Sequence, residues 1–315
     1  MKFSVIIPTF NAASFIAETL HSVLAQTSPA YEIIVVDDGS TDGTPELVRA
    51  IAPEARLILQ TRSGVCGARN AGVNAASGDI IAFLDHDDIW SPWALEVYAT
   101  LFMQFPDSVA AGGRAALFYD GKVPWMGKPV GRVVQTYDAR RICLESGFTL
   151  PSALAVKKSA FESCGGFQVK AVEEGSSEDW DICFRLGKIG VLVRTLDAVT
   201  AFRLHPGNTS KTQQYSAALR YTCDFKSITR YWVLKCHELG MNRRSARAMF
   251  ANRYMIRHFD LCDDHRYWSA LVWLLRSIVI WPTRLDSYRY ATPFIRLKRL
   301  LVMPMLMIKS VVADK

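Results

Sequence analysis

The sequence predicts an α/β chain, a mostly parallel sheet with helices on both faces, followed by a C-terminal helical extension. Three observations predict it. Over the first 90 residues, short β-branched or apolar runs alternate with segments of helical period, the pattern of parallel strands joined by crossover helices. Those apolar runs end in polar clusters. The charge also changes sign near residue 210: residues 1–210 hold 18 Lys and Arg against 23 Asp and Glu, and residues 211–315 hold 19 against 7.

The elements follow in order. Lys2 to Pro8 reads as a short buried strand, and Ser14 to Gln26 spaces Phe15, Ile16, Thr19, Leu20, Val23 and Leu24 at a helical period. Glu32 to Val36 is a second β-branched run that ends on Asp37-Asp38-Gly39-Ser40. Thr41 or Asp42 is placed to cap a helix over about Pro45 to Ile51, and Arg56 to Leu59 gives a third strand. The glycine-bearing segment Ser63 to Gly72 leads into a helix over Ala68 to Ala76, and residues 79–84 form the fourth strand. Residues 110–210 are less regular. Strands are predicted near Ala115 to Tyr119 and Ser152 to Val156, and a helix over Lys158 to Cys164 that stops at Gly165-Gly166. Another helix, Glu178 to Ile189, carries two acids in its first turn, where they complement the helix dipole. A last core strand, Ala201 to His205, runs into a polar loop ending at Ser210, which sets the boundary between a domain at 1–210 and an extension at 211–315.

Composition excludes several classes. Half the residues are hydrophobic and 21% are charged, so the chain is neither disordered nor of low complexity. The seven cysteines are scattered, odd in number and without a CxxC pair, which argues against a disulfide framework or zinc site and for a reducing compartment. The N-terminus has no signal-peptide plan, so the expected location is cytoplasmic. The acidic front suits metal and nucleoside-diphosphate chemistry. The basic, Trp-bearing back third suits an anionic surface, and the apolar runs 267–281, interrupted by Arg276, and 300–312, interrupted by Pro304, are too short or too charged to span a bilayer. They fit helices lying in the interface on the cytoplasmic membrane face, with plain packing onto the first domain as the alternative. No nucleic-acid recognition motif accompanies the basic charge. Whether the extension drives oligomerisation is left open.

In open α/β sheets ligands sit beyond the carboxyl ends of the strands. Here those ends carry Thr9-Phe10-Asn11, Asp37-Asp38 and Asp85-His86-Asp87-Asp88. Three carboxylates within four positions suit a divalent cation bridging to a phosphate, although such acids also cap turns. A carboxylate of the Asp37-Asp38 pair is suited to accept a hydrogen bond from a base ring N–H while Phe10 offers a face for stacking, although Asp, Gly, Ser and Thr also build ordinary turns.

The segments Val5-Ile6-Ile7-Pro8-Thr9-Phe10-Asn11, Val35-Val36-Asp37-Asp38-Gly39-Ser40-Thr41-Asp42, Arg69-Asn70 and Leu84-Asp85-His86-Asp87-Asp88 resemble, in order and spacing, the family 2 glycosyltransferases over about residues 1–210. The resemblance implies the Rossmann-like GT-A fold, a nucleotide-sugar donor, a divalent metal (Mn or Mg) and inversion at the anomeric carbon. It also implies a donor site in which Pro8 and Phe10, with Thr9 and Asn11 in the same motif, flank the base. Asp38, beside Asp37, would bind the ring nitrogen, and Arg69 would lie near the base or diphosphate. Asp85 would contact ribose or metal, Asp87 would be the principal metal ligand, and His86 between them belongs to the donor site without being a ligand. Ser177-Glu178-Asp179-Trp180-Asp181 resembles the family's ED motif, which makes Asp179 the general base and lets Glu178 orient the acceptor. Asp181 and Arg185, four apart, suit a helical ion pair. His205 stands where many GT-A enzymes place a further metal ligand, a structural histidine being the alternative. No QxxRW motif follows, which favours a single-addition transferase over a polymerase.

UDP is the default donor nucleotide, with dTDP and GDP sharing the ring N–H. The acceptor is expected to be a glycan or lipid-linked sugar in bacterial surface polysaccharide synthesis. Two rival readings stand beside this one. A nucleotidyltransferase would want a Gly-rich loop where Pro8-Thr9-Phe10-Asn11 stands. A non-catalytic sugar-nucleotide or glycan-binding protein would keep the fold but would not depend on Asp179 for any turnover.

Overall fold

A computed structural model describes residues 1–118, 123, 134–145, 150–169, 178–205, 207, 208, 234–241, 271, 274 and 275. The chain divides into two compact units: Met1–Ala139, Gly147–Glu173 and Ser177–Leu204 form the first, and Arg140–Ser146, Glu174–Ser176 and His205–Lys315 the second. The first unit holds the sheet. Its strands are β1 (Phe3–Thr9), β2 (Glu32–Asp37), β3 (Arg56–Leu59), β4 (Ile80–Phe83), β5 (Ile89–Trp90), β6 (Ala110–Phe118), β7 (Val134–Tyr137), β8 (Leu154–Lys157) and β9 (Leu192–Arg203). They lie in the order β3-β2-β1-β4-β8-β6-β9-β5, with β7 beside β9. The β3-β2-β1-β4 half is wholly parallel, while β8 runs against β4 and β6, and β5 and β7 run against β9. Six of the nine described strands therefore point one way, the mostly parallel sheet that the alternating sequence pattern predicts.

Side chains alternate across a strand, and the two faces have different partners. Val5, Ile7 and Val35 share a buried cluster with Ile16, Leu20 and Val23 of α1 (Ile16–Leu24), Val48 of α2 (Thr44–Ile51), and Leu95 and Tyr98 of α4 (Ala94–Gln104). Burying each of these aliphatic side chains stabilises the unit by about 1.5–3 kcal/mol relative to leaving it in water. The opposite face carries Ile6 and Val36, which meet α3 (Gly64–Ala75) at Gly72; a Cβ there would collide with the Ile6 side chain and lie 3.3 Å from Val36 Cγ2. The same face carries Phe83, edge-on to Phe167 at 5.3 Å and 5.7 Å from Phe161 of α6 (Lys158–Ser163).

The structure differs from the sequence expectation where a partner is distant. Helix α3 starts at Gly64 rather than Ala68, because a carboxylate from β2's end caps it. Helix α2 has Gly43 at its N-cap, in the left-handed region at φ 82°, and Asp42 acts from one residue earlier, accepting the Thr44 N–H at 3.2 Å and the Thr44 hydroxyl at 2.6 Å. Strand β6 begins at Ala110, five residues before the expected start, within an Ala-Ala-Gly-Gly stretch of low strand propensity; pairing with β8 and β9 overrides that propensity. Strand β9 spans twelve residues, ending at Arg203. The helix Glu178–Ile189, labelled α7 after the short α5 (Ala139–Glu145), has the expected bounds.

In the second unit residues 234–238 are helical, as are Leu271, Leu274 and Leu275. The rest of the predicted interfacial segments 267–281 and 300–312 lies outside the described residues. Among the described residues no helix is long and apolar enough to cross a membrane.

Candidate active site

The parallel register places the ends of β1 and β2 side by side, with Thr9 opposite Asp37. Asp37 is buried and holds that junction: Oδ1 accepts the Thr9 hydroxyl at 3.2 Å and Oδ2 accepts the Ser40 N–H at 3.0 Å. Asn11 adopts φ 48°, a conformation asparagine tolerates better than most side chains. It links the two loops, donating its N–H to Ser40 Oγ at 2.8 Å and accepting the Thr41 N–H on Oδ1 at 2.9 Å.

Asp38 is the polar centre of this end. Its N–H donates to the Thr9 carbonyl at 2.8 Å, which makes it a neighbour of Phe10. Its Oδ1 accepts from Gln60 Nε2 (2.7 Å), Ser63 N–H (2.8 Å) and Ser63 Oγ (3.2 Å), and Oδ2 accepts from Gly64 N–H (2.8 Å). Burial works to raise its pKa, but the bonds from Gln60, Ser63 and Gly64 outweigh it and hold the carboxyl below its ordinary value. Asp38 is thus an ionised acceptor whose Oδ2 has one donor and room for another. Over the Phe10 ring lies the Arg62 guanidinium, 3.7 Å from the centroid.

The acid turn follows β4. Leu84 N–H continues the ladder to the Ile6 carbonyl at 3.1 Å, and Asp88 N–H closes the turn on the Asp85 carbonyl at 3.1 Å. Asp85, His86 and Asp87 are partly exposed, while Asp88 is buried. Burial first, then the charges of Asp87 and Asp85, push the Asp88 carboxyl well above the carboxylate range. The turn's backbone is held from four directions. Ser152 Oγ accepts the Asp85 N–H at 3.1 Å, His86 Nδ1 lies 3.2 Å from the Pro8 carbonyl, and the Thr19 hydroxyl reaches the carbonyls of His86 (2.8 Å) and Asp88 (2.9 Å). Arg203 supplies the fourth: its N–H donates to Asp88 Oδ1 (3.1 Å), Nε to the Asp87 carbonyl (3.0 Å) and Nη2 to Glu18 (2.6 Å). Its guanidinium also lies 4.7 Å from the Phe118 ring and 5.3 Å from the Phe15 ring.

A second buried arginine joins the acid turn to α7. Arg69, on α3, is 2% exposed; Nη2 donates to Asp85 Oδ1 at 2.7 Å and Nη1 to Glu178 Oε1 at 3.2 Å. Burial alone would lower its pKa, but the two carboxylates more than offset this and raise it, so the guanidinium remains charged. One turn earlier, Cys66 has its thiol pushed up to about 11, by burial first and the Glu178 charge second, which makes it a packing residue rather than a nucleophile.

The expected site residues are therefore placed as follows. Pro8, Thr9, Phe10, Asn11, Asp37, Asp38, Asp85, His86 and Asp87 stand at the carboxyl ends of β1, β2 and β4. Arg69 sits beneath that rim, paired to acids rather than open to solvent. Glu178 joins it, and Asp179 follows in the first turn of α7, partly buried, with Oδ1 accepting the Trp180 N–H at 2.8 Å. Asp181 and Arg185 form the expected ion pair, with Nε 2.7 Å from Asp181 Oδ2. His205 belongs to the second unit, where its N–H donates to Asn208 Oδ1 at 2.6 Å and its Nδ1 accepts the Gly207 N–H at 3.2 Å. Sequence reasoning missed Arg62, Gln60 and Arg203. Only Arg203 left a signal, a lone charge between Phe202 and Leu204 in a strand otherwise apolar at that end.

Among the described residues no cluster of three or more His, Cys, Asp or Glu is arranged to hold a metal ion. Asp85 and Asp87 are hard oxygen donors, a chemistry that fits a divalent ion such as Mg or Mn.

Comparison with known proteins agrees with this geometry. The chain is 42% identical over 106 residues to an uncharacterized glycosyltransferase of Nostoc sp., covering 32% of this chain and 33% of that protein. It is 38% identical over 122 residues to the putative teichuronic acid biosynthesis glycosyltransferase TuaG of Bacillus subtilis, covering 38% of this chain and 48% of that protein. These matches span about a third to a half of those relatives' lengths. Among solved structures, S. aureus TarS in complex with UDP-GlcNAc is similar at TM-score 0.61 and 19% identity, over 98% of this chain and 89% of that one. The mannosyltransferase PcManGT of Pyrobaculum calidifontis, in complex with GDP-Man and Mn2+, is similar at TM-score 0.57 and 19% identity, over 99% and 86%. Both likenesses establish the GT-A fold. Residues 4–165 match glycosyl transferase family 2, and the chain belongs to that family.

Proposed function

We propose that the protein is an inverting, metal-dependent glycosyltransferase that moves a sugar from a nucleotide-sugar donor, a UDP-sugar first, to a hydroxyl of a glycan or lipid-linked acceptor. The observation that carries this reading is the buried Arg69, whose guanidinium joins Asp85 of the acid turn to Glu178, the first residue of the ED pair on α7.

Each residue then has a role set by its chemistry. Asp38, held ionised, accepts the base ring N–H on its less occupied oxygen while the base stacks on Phe10. Asp85 and Asp87 would hold a divalent ion, Mn or Mg. That ion, when bound, offsets the charge that gathers on the departing nucleoside diphosphate. Asp179 takes the proton of the acceptor hydroxyl, whose pKa lies far above neutrality, as the oxygen attacks the anomeric carbon. A single displacement from the face opposite the diphosphate inverts that carbon. Glu178, fixed by Arg69, orients the acceptor rather than serving as the base.

The likeness to TuaG, a putative teichuronic acid biosynthesis glycosyltransferase, supports an acceptor in bacterial surface polysaccharide synthesis. The basic balance of residues 211–315 supports association with the cytoplasmic membrane face. The test is donor hydrolysis by the purified chain, across UDP-, dTDP- and GDP-sugars with and without Mn2+, read as released nucleoside diphosphate. Release from one donor, dependent on the metal and lost in Asp87→Ala, is expected. Asp179→Asn should keep donor binding and lose transfer by about 10²–10⁴-fold, the usual weight of a general base; unchanged behaviour would mean a binding protein.

A further inference from the structure

We infer that Arg62 is the second wall of the base slot and a donor-affinity residue, an inference that rests on the reading of Phe10 and Asp38 as the base site. The Arg62 guanidinium lies 3.7 Å over the centroid of the Phe10 ring, the separation of two stacked planar groups. A planar cation on that face fills the space that a base stacked on Phe10 requires.

The loop that carries Arg62 is fixed, so its side chain is presented there by design of the backbone. On one side Gln60 N–H donates to the Asp37 carbonyl at 2.9 Å, and on the other Ser63 and Gly64 donate their N–H groups to Asp38. Gly39, at φ 85°, packs beneath, where a Cβ would stand 3.6 Å from Arg62 N. The carboxylate that pins this loop is the one that faces the base edge. The Arg62 side chain is exposed and long, and among the described residues it makes no hydrogen bond or ion pair.

A base entering the slot lifts the guanidinium by one stacking distance. The cation–π contact with Phe10 is exchanged for one with the base, and the base is closed between ring and guanidinium. Stacked on the base face, the guanidinium points its N–H groups outward in its own plane and reads no edge atom, so the edge is left to the acceptors of Asp38. Those acceptors fit a base with a ring N–H, uracil first and thymine with it. Cytosine and adenine lack that ring N–H.

Calorimetry on the full chain tests this, with UDP, CDP and ADP as probes, in wild type, Arg62→Ala and Arg62→Lys, at about 0.05 M and 0.5 M NaCl. Arg62→Ala is expected to weaken UDP binding about tenfold at both salt concentrations, because stacking is screened far less than a surface charge contact. The preference for UDP over CDP, set by Asp38, should persist in the same variant. Arg62→Lys, with the charge but not the plane, should recover only a minor part. Equal UDP affinity in wild type and Arg62→Ala overturns the inference. So does a loss seen only at low salt and restored by lysine, which would make Arg62 a phosphate contact, and so does tighter binding in Arg62→Ala, which would make it a plug. If wild type binds no nucleoside diphosphate, the donor-site reading itself fails and takes the inference with it.

Discussion

The two ends of the candidate donor site solve the problem of burying a carboxylate in different ways. At the base end, Asp38 is satisfied by neutral donors that lie 22 to 26 residues along the chain, on the loop between β3 and α3. At the acid end, Asp85 to Asp88 are held by two charged arginines, Arg69 on α3 and Arg203 on β9, with Arg203 reaching back 116 residues to Asp87 and 185 to Glu18. The base-end carboxylate is therefore satisfied within the stretch from β2 to α3, before the other half of the sheet is added. The acid end exists only when the sheet has closed. Neutral donors also fail gently, whereas a lost buried counter-charge leaves a carboxylate facing low-dielectric surroundings.

The largest expected effect is at Arg69. Arg69→Met should cost about 3–5 kcal/mol, the range for removing one partner of a buried ion pair, in chemical unfolding. The side chain is 3% exposed, against 27% for Asp85 and 25% for Glu178, so water relieves the acids only in part. Neutralising them in the triple variant Arg69→Met, Asp85→Asn, Glu178→Gln should recover most of the loss. A single variant within about 1 kcal/mol of wild type would erase the contrast between the two ends.

Arg203 comes next. Arg203→Met removes donors from the Asp87 carbonyl and Glu18, and should cost about 2–3 kcal/mol with weaker Mn2+ binding, read by electron paramagnetic resonance. Glu18→Gln alone should cost below about 1 kcal/mol, because the Glu18 side chain is 59% exposed and its pair is screened. If Glu18→Gln matched Arg203→Met, the ion pair rather than the grip on the acid turn would be what matters.

The contrast also explains what could be read before folding. The β1, β2, β3 and β4 strands were legible because each is a local apolar run, and the rim residues were legible because each run stops at acids or at Thr9-Phe10-Asn11. Helix α7 was legible to the residue, since its acidic first turn and apolar period are both local. The counter-charges were not. Arg69 meets Glu178 across 109 positions, and no spacing in the sequence announces such a pair. The early start of α3 was hidden for the same reason, since its cap comes from another strand. Strands β6 and β9 were read too short because Ala, Gly and Thr carry little apolar signal where ladder pairing decides.

Gly72→Ala tests a feature common to both ends, since α3 carries Arg69 and begins at the Asp38 cap. The new Cβ would collide with Ile6, and overpacking of this kind costs about 1–3 kcal/mol. Because α3 would shift as a body, donor binding should weaken together with stability. Loss of stability with unchanged UDP affinity would show that the rim does not depend on the seating of α3.

The smallest effect, and the sharpest test of the base end, is the pH response of Asp38. Its folded pKa is held below the ordinary value, so the unfolded state binds the proton more tightly. Its contribution is fully present above the ordinary carboxylate pKa and is lost as pH falls through the folded value. Asp38→Asn keeps an oxygen to cap α3 but removes the charge, so it should cost about 1 kcal/mol near neutral pH, the usual value of a helix cap. The cost should shrink as pH falls below the ordinary Asp value of about 4, and the thermal unfolding midpoints of variant and wild type should converge only below the folded value, which lies lower still. Glu32 at the opposite edge serves as the control. Its pKa is also lowered, burial raising it and the bonds from Ser4, Ser77 and Gly78 lowering it further, and Glu32→Gln should show the same convergence with no change in UDP affinity. If Asp38→Asn likewise left UDP binding untouched, the carboxylate would be a helix cap and nothing more, and the base would have to be recognised by Phe10 and its surroundings alone.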